Sequence, residues 1–259
     1  MAIISISGYA GSGKDTVGRI IQYLHCYNPE NISVTEAIIN DPSQLYWLDE
    51  QSGWEIKKWA GKLKEVASIL TGIPIMEFED QEFKKSYLGA EWDTYGIIRK
   101  NGKRQIDVQL TPHNPTGPWL TSKENIEVHN RMTVRDLLQK LGTEALRNGL
   151  HENTWVNALM ADYVPVPQVG SGVTEENDYA YPNWIITDTR FPNELYAVKQ
   201  KGGVAIQVIK KGNKAVNDHV SEISLDGAQF DYVIENDGTI EDLVDEVKNI
   251  FKKIKDVNA

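Results

Sequence analysis

A short apolar run, Ala2 to Ile6, leads without a break into Gly8-Tyr9-Ala10-Gly11-Ser12-Gly13-Lys14-Asp15-Thr16. The run reads as a buried strand. Glycines at 8, 11 and 13 allow positive φ, so successive backbone N–H groups can turn into one concavity. Lys14 adds a mobile cation, and a helix starting here points the positive end of its dipole the same way. Such a cradle suits the β- and γ-phosphates of a nucleoside triphosphate, in the strand–loop–helix setting that a phosphate-binding loop requires. The competing reading is a Gly-rich turn with no ligand; the preceding strand and Lys14 within the loop argue against it. Gly11, Ser12, Gly13, Lys14, Asp15 and Thr16 are the expected contacts. The usual pattern places a hydroxyl directly after the lysine to ligate Mg²⁺, whereas here Asp15 stands there and Thr16 follows. A carboxylate beside a triphosphate repels it unless a metal or metal-bound water lies between. Asp15 is therefore expected to hold Mg²⁺ partly through water, with Thr16 beside it as a further phosphate contact.

A chain of 259 residues, 41% hydrophobic and 25% charged, has the composition of a soluble globular protein with a full core. Its net charge of −10 argues against general binding to nucleic acid or an anionic membrane. A single cysteine, Cys26, excludes an internal disulfide and fits a reducing cytoplasm. No signal peptide is expected, because the loop begins where a cleavable apolar core would have to continue. No apolar run reaches the roughly 18 residues of a membrane span.

Beyond the loop, Val17 to Tyr27 carries apolar residues at helical spacing. Ile32 to Asn40 fits either strand or loop. Trp54 to Trp59 alternates as a strand, and Ala60 to Leu70 reads as a helix stopped by Gly72 and Pro74. Lys62 and Lys64 near its start are solvated residues or candidates for an acceptor phosphate. Asp93 to Pro118 reads as an insertion, with Asn101-Gly102 as a two-residue hairpin turn and prolines at 112, 115 and 118 beyond it. Thr133-Val-Arg-Asp136 resembles a capping box. In the helix it opens, Val134, Leu137, Leu138, Leu141 and Ala145 form an apolar face at about 100° per residue. On the same count Arg135, Gln139 and Gly142 share a stripe about 60° wide. That stripe is either a solvated face or a surface where an arginine fork, an amide and bare backbone meet a phosphate and a base edge. Gly142 could instead end the helix, with Thr143 capping the next. Trp155, in the helix capped by Asn153 or Thr154, reads by itself as a core aromatic. Val164 to Asn183 is a mobile loop rich in proline, glycine and acid.

Trp184-Ile-Ile-Thr-Asp188 is an apolar strand ending in an acid, and the carboxyl end of a parallel strand opens onto a ligand crevice. Asp188 there either caps a loop or faces Mg²⁺-bound water or a sugar hydroxyl, and Arg190 can clamp transferring phosphates. Pro192-Asn193-Glu194 starts a helix that Gly202-Gly203 ends. Val204 to Lys211 and Asp231 to Glu235 are the remaining strands, and Asn236-Asp-Gly238 turns into a final helix from Thr239 to about Lys255. His219, Ser221 and Glu222 form a polar cluster that lacks the spacing of a metal site. The alternation predicts an α/β fold, a mostly parallel sheet with helices on both faces. A single domain with the 93–118 insertion and the 164–183 loop is the expected organisation.

With these residues in view, the chain resembles the deoxynucleoside monophosphate kinases of tailed bacteriophages over nearly its full length. The resemblance rests on Gly11-Ser-Gly-Lys-Asp-Thr16, Leu138-Gln-Lys-Leu-Gly-Thr-Glu144, Trp155-Val156, Thr187-Asp-Thr-Arg-Phe-Pro-Asn-Glu194, His219-Val-Ser-Glu222 and Asn236-Asp-Gly238. It implies a P-loop nucleoside monophosphate kinase-like fold and transfer of the ATP γ-phosphoryl group to a deoxynucleotide that supplies DNA synthesis. By motif match, Ser12 to Thr16 would serve ATP and Mg²⁺. Arg135, Gln139, Gly142, Thr143, Trp155, Asp188, Arg190 and Glu194 would serve the acceptor and its transferred phosphate. Lys14, Asp15, Asp188 and Arg190 are the expected catalytic set. A homodimer in the host cytoplasm is the implied state, with a small deoxynucleoside monophosphate as partner and no nucleic acid or membrane. Rival readings are another P-loop small-molecule kinase, resembling dephospho-coenzyme A kinase, and an ATP-hydrolysing switch. Against the switch, Asp188 is followed by Thr189 rather than by a glutamate to activate water.

Overall fold

A computed structural model describes residues 3–26, 42–98, 104–105, 126–167, 179–213 and 224–257. The chain begins with β1 (Ile3–Ser7), α1 (Lys14–His25), α2 (Pro42–Ser52), β2 (Trp54–Lys57) and α3 (Trp59–Thr71). It continues with β3 (Thr94–Ile98), β4 (Arg104–Gln105), β5 (Ile126–Asn130), α4 (Val134–Gln139) and α5 (Thr154–Met160). The last part holds β6 (Val166–Pro167), β7 (Tyr179–Ala180), β8 (Asn183–Thr189), α6 (Pro192–Gln200), β9 (Val204–Ile209), β10 (Tyr232–Glu235) and α7 (Ile240–Val257). These residues divide into two compact units, Met1–Lys62 with Asn153–Ala259, and Leu63–Glu152.

The first unit is built on a five-stranded sheet in the order β10-β9-β1-β8-β2, and every pairing in it is parallel. Period-two alternation divides its core between two faces. Ile4, Ile6, Ile185, Ile206 and Ile234 pack with Val17, Ile20 and Ile21 of α1 and with Leu243, Val247 and Phe251 of α7. Ile3, Trp184 and Ile186 turn the other way, onto Val156 and Leu159 of α5 and Val198 of α6. This is the expected α/β architecture with helices on both faces. β1 lies at the centre, with all five residues buried. Its neighbours place Ser5 beside Ile186 of β8 and Ala205 of β9, so the loop after β1 opens between two strand ends. The ladder to β8 shifts register between Ser5 and Ser7, next to that loop.

Element boundaries follow local chemistry. α1 begins at Lys14, three residues before the apolar periodicity, because Gly13 in the left-handed region turns the chain directly into it. β2 stops at Lys57 and Trp59 belongs to α3, whose first N–H groups are capped by Asp188 of β8. α6 ends as the paired glycines predict. Gly202, at φ 71°, donates to Lys199 O at 2.9 Å and Gly203 to Val198 O at 3.0 Å. α7 opens on a capping box in which Thr239 N–H and Asp242 N–H exchange hydrogen bonds with the Asp242 and Thr239 side chains, at 2.8 and 3.2 Å. Inside the loop expected at 164–183, β6 and β7 pair as a short antiparallel ribbon.

In the second unit, β3 pairs antiparallel with both β4 and β5, and the strand β5 was not foreseen from the sequence. Ala67, Phe78 and Val134 form its buried centre, with Ile73, Phe83, Leu88, Leu138 and Leu141 around them. The capping box at Thr133 is present, Asp136 N–H donating to Thr133 Oγ1 at 3.1 Å and Thr133 N–H to Asp136 Oδ2 at 3.0 Å. The helix then departs from expectation. From Lys140 to Asn148 it is wound as a π-helix. A wider turn advances each side chain by less than the 100° used to lay out the two stripes. Hence Ala145, expected on the apolar face, is exposed, and Gly142, expected beside exposed Arg135, is buried. The Asn101-Gly102 turn, the prolines at 112, 115 and 118, Ile32 to Asn40 and the His219, Ser221 and Glu222 cluster lie outside the described residues.

Candidate functional site

Left-handed glycines make the phosphate loop possible. Gly8, Gly11 and Gly13 have φ of 148°, 77° and 98°. A Cβ on Gly8 would overlap the Val208 carbonyl oxygen and come within 2.7 Å of Ser12 Oγ; one on Gly13 would overlap the Asn236 amide. Three side chains hold the loop from outside or tie it to later parts of the chain. Asn213 Nδ2 donates to Ala10 O and Asn236 Nδ2 to Ser12 O, each at 2.8 Å. Tyr9 donates its hydroxyl to Asp226 Oδ1, also at 2.8 Å. Lys14, 9% exposed, folds across the loop and donates to Tyr9 O at 2.8 Å. Ser12 Oγ is buried and has no hydrogen-bond partner among the described residues. A buried hydroxyl in that state is costly, and a ligand oxygen would satisfy it.

Asp15 is held through one oxygen. Thr187 of β8 donates its hydroxyl to Asp15 Oδ1 at 2.7 Å, and Lys58 Nζ lies 3.5 Å from the same atom. One residue along β8, Asp188 accepts from the backbone N–H of Trp59 at 2.7 Å and of Ala60 at 3.0 Å. It thus caps α3 across the sheet, a stabilising place for an anion. Burial pushes its pKa above the usual carboxylate value, while those two N–H groups and the charges of Arg190 and Lys58 pull it down. Thr189 receives hydrogen bonds from Ser5 Oγ at 2.7 Å and Trp59 Nε1 at 3.0 Å, which ties β8 to β1 at the site. Glu194, 3% exposed, accepts from the N–H of Arg190 at 2.8 Å and of Phe191 at 3.1 Å. It fixes the backbone from which the Arg190 side chain springs.

These strand ends enclose a cavity of about 150 Å³. Gly8, Tyr9 and Ser12 of the phosphate loop line it together with Thr189, Arg190 and Lys210. Arg190 thus shares a cavity with the first half of the loop; of the expected nucleotide contacts Ser12 lines it, and Gly11, Gly13, Lys14, Asp15 and Thr16 do not. Trp155 belongs to the same unit and is 5% exposed, on the buried side of α5. Arg135, Gln139, Gly142 and Thr143 all belong to the other unit. There Arg135 donates to Gln81 Oε1 at 3.2 Å. Gly142 has a packing reason of its own, since a Cβ would come within 2.9 Å of Leu63 Cδ2.

Some of the sequence's candidates find other partners, and some participants were not among the candidates. Lys62 pairs with Asp162 at 2.9 Å and Lys64 with Glu79. Lys58, Asn213 and Asp226 went unnoticed, because their partners at Asp15, Ala10 and Tyr9 are distant in sequence. A clue existed for Lys58: it directly follows a strand whose carboxyl end faces the loop.

The donor set suits the groups that the loop implies. Asp15 and Thr16 offer oxygen only, the ligand type of Mg²⁺, which takes one or two carboxylates and completes its shell with water and substrate phosphates. Among the described residues no cluster of three His, Cys, Asp or Glu could cage a metal without that help. No helix there is long and apolar enough to cross a membrane.

A family model described as deoxynucleotide monophosphate kinase matches residues 98–247. The chain is 30% identical to the deoxynucleotide monophosphate kinase of Enterobacteria phage T4, over 97% of this chain and 99% of that protein. It is 24% identical to the enzyme of the same description from Escherichia phage RB69, over 97% of this chain and all of the relative. A deoxynucleoside-5'-monophosphate kinase of Escherichia phage T5 is 26% identical over 74% of this chain and 69% of its own length. A match across almost the whole length, on a sheet that carries a glycine-built phosphate loop at its centre, places the chain in the deoxynucleotide monophosphate kinase family.

Proposed function

We propose that the chain transfers the γ-phosphoryl group of ATP to a deoxynucleoside monophosphate, giving ADP and the deoxynucleoside diphosphate, with Mg²⁺ held at Asp15 and Thr16. The observation that carries this reading is the cavity shared by the phosphate loop and Arg190. An acceptor phosphate oxygen attacks the γ-phosphorus, the bond to the β-bridging oxygen breaks, and ADP leaves with that electron pair. The acceptor is already anionic near neutral pH, so alignment and charge neutralisation do the work of catalysis. Lys14 and the loop N–H groups hold the donor's phosphates, while Arg190 bears on the migrating group. Glu194 and Asp188 act on its backbone and charge. Mg²⁺, which Asp15 and Thr16 would hold, would supply charge neutralisation for the transferring phosphates. A homodimer is part of the same reading.

A panel of the four common deoxynucleoside monophosphates and dephospho-coenzyme A, each with ATP and Mg²⁺, tests the proposal. ADP release is expected only with one or more of the deoxynucleotides. ATP turnover independent of every acceptor, or turnover with the coenzyme precursor alone, would overturn it.

Trp155 links packing to this reaction. As the acceptor platform implied by the Trp155-Val156 motif, it should respond to Trp155→Phe with a several-fold rise in acceptor KM and little change in kcat. A buried indole also contributes to stability, and the smaller ring should cost about 1–3 kcal/mol. Measuring KM and the melting temperature together separates the two roles. A lower melting temperature with an unchanged KM would assign the ring to packing.

A further inference from the structure

Asp15 presents a charge problem for the loop. A carboxylate at this position repels the donor's phosphates in a metal-free encounter, and the loop's own cation, Lys14, folds back onto Tyr9 O at 2.8 Å rather than onto Asp15. The Thr187 hydroxyl orients Asp15 without adding charge, because it is a neutral donor at 2.7 Å. The cation that reaches Asp15 comes from a different strand. β2 runs parallel to β8 with Lys57 opposite Ile186, so the next residue, Lys58, emerges at the strand end beside Thr187. Its direction is fixed on the far side by Asp188, which takes the N–H of Trp59 at 2.7 Å. Lys57 is occupied otherwise. Its ammonium pairs with Glu55 at 2.7 Å and lies 5.2 Å from the centre of the Trp184 ring. Lys58 Nζ lies 3.5 Å from Asp15 Oδ1, on a side chain that is 32% exposed, and its charge also acts on Asp188.

We propose that Lys58 is a positioning residue for the donor nucleotide, the counter-charge that allows a carboxylate to stand directly after the phosphate-loop lysine. This rests on the kinase reading above and adds to it a residue outside the loop and outside the motifs. Lys58 acts through Asp15. It lowers the repulsion between that carboxylate and an incoming triphosphate, and with Thr187 it holds Oδ1. The effect is electrostatic over a partly exposed gap, so it weakens as salt rises.

A double-mutant cycle on metal-free ATP binding tests it, by titration calorimetry in EDTA at low ionic strength with the full chain. Lys58→Met is expected to weaken ATP binding about tenfold, and Lys58→Arg, which keeps the charge, less than about threefold. In an Asp15→Asn background, where no carboxylate needs offsetting, Lys58→Met should cost less than about twofold. Raising the salt to about 0.5 M should shrink the single-variant loss. A tenfold loss that persists in the Asp15→Asn background would overturn the inference, since Lys58 would then touch the nucleotide or serve only the fold. So would a Lys58→Met protein that binds ATP like the parent. A parent protein that binds no ATP in EDTA or with Mg²⁺ would overturn the kinase reading itself, and this inference with it.

Discussion

Arg190→Ala is expected to lower kcat about a thousandfold while leaving the melting temperature and ATP affinity close to the parent's. The physical ground is a separation between side chain and backbone at the end of β8. Glu194 takes the backbone N–H groups of Arg190 and Phe191, which alanine at 190 retains, so the turn into α6 keeps its cap. Thr189 keeps its bonds from Ser5 and Trp59, so the tie between β8 and β1 survives as well. What is lost is the side chain of a residue that lines a cavity together with the phosphate loop, and a positive charge that acts on Asp188. If Arg190 stabilises charge that develops on the migrating phosphoryl group, the loss falls on turnover rather than on ground-state binding. Lys14→Ala makes the contrast. It removes a cation that lies across the loop itself, so ATP affinity and turnover should both fall. Steady-state kinetics with calorimetric ATP binding checks the pair. An Arg190→Ala enzyme within about tenfold of the parent kcat would take Arg190 out of the catalytic set.

The site's legibility in the sequence depended on how local its causes are. The phosphate loop could be read because its glycines, its lysine and its strand are contiguous, and the structure puts the turn where positive φ requires it. β8 could be read for the same reason, an unbroken apolar run that ends in Asp188. The central sheet followed from such runs, and its parallel character from the rule that parallel strands need covered crossovers. Failures began where a cause lay elsewhere in the chain. Nothing near Asp188 in sequence says that it caps α3, and nothing near Lys58 says that it meets Asp15. In the stripe of Arg135, Gln139 and Gly142, α-helical spacing holds from Arg135 to Gln139 and gives way to π-winding from Lys140, so only the place of Gly142 departs from the 100° spacing. Gly142 shows the same dependence on distant residues. Its helix-breaking cost points to a close approach, and the structure supplies one in Leu63, a packing account that no neighbouring residue announces.

Gly8→Ala should be the most damaging conservative change in the first unit, and Gly202→Ala shows why. Both glycines have positive φ, 148° and 71°, so alanine at either carries backbone strain of about 1–2 kcal/mol. At Gly202 a Cβ meets nothing within 4 Å, and the strain is the whole effect. At Gly8 the added carbon would overlap the Val208 carbonyl oxygen, which belongs to β9, and crowd Ser12 Oγ at 2.7 Å. Val208 is 1% exposed in the core, and its strand is registered against β1, so neither side can yield without disturbing the central ladder. Overpacking of that kind adds about 1–3 kcal/mol or more. At about 2–4 °C per kcal/mol for a chain of this size, Gly8→Ala should melt roughly 10 °C below the parent and Gly202→Ala only a few degrees below. The two should also part in binding. Gly202→Ala should retain ATP affinity, whereas Gly8→Ala should lose it well below its melting temperature, because the displaced groups belong to the loop that cradles the phosphates. Matching melting temperatures for the two variants would mean that the approach of β9 to Gly8 does not constrain the loop, whose shape would then have to come from its own backbone.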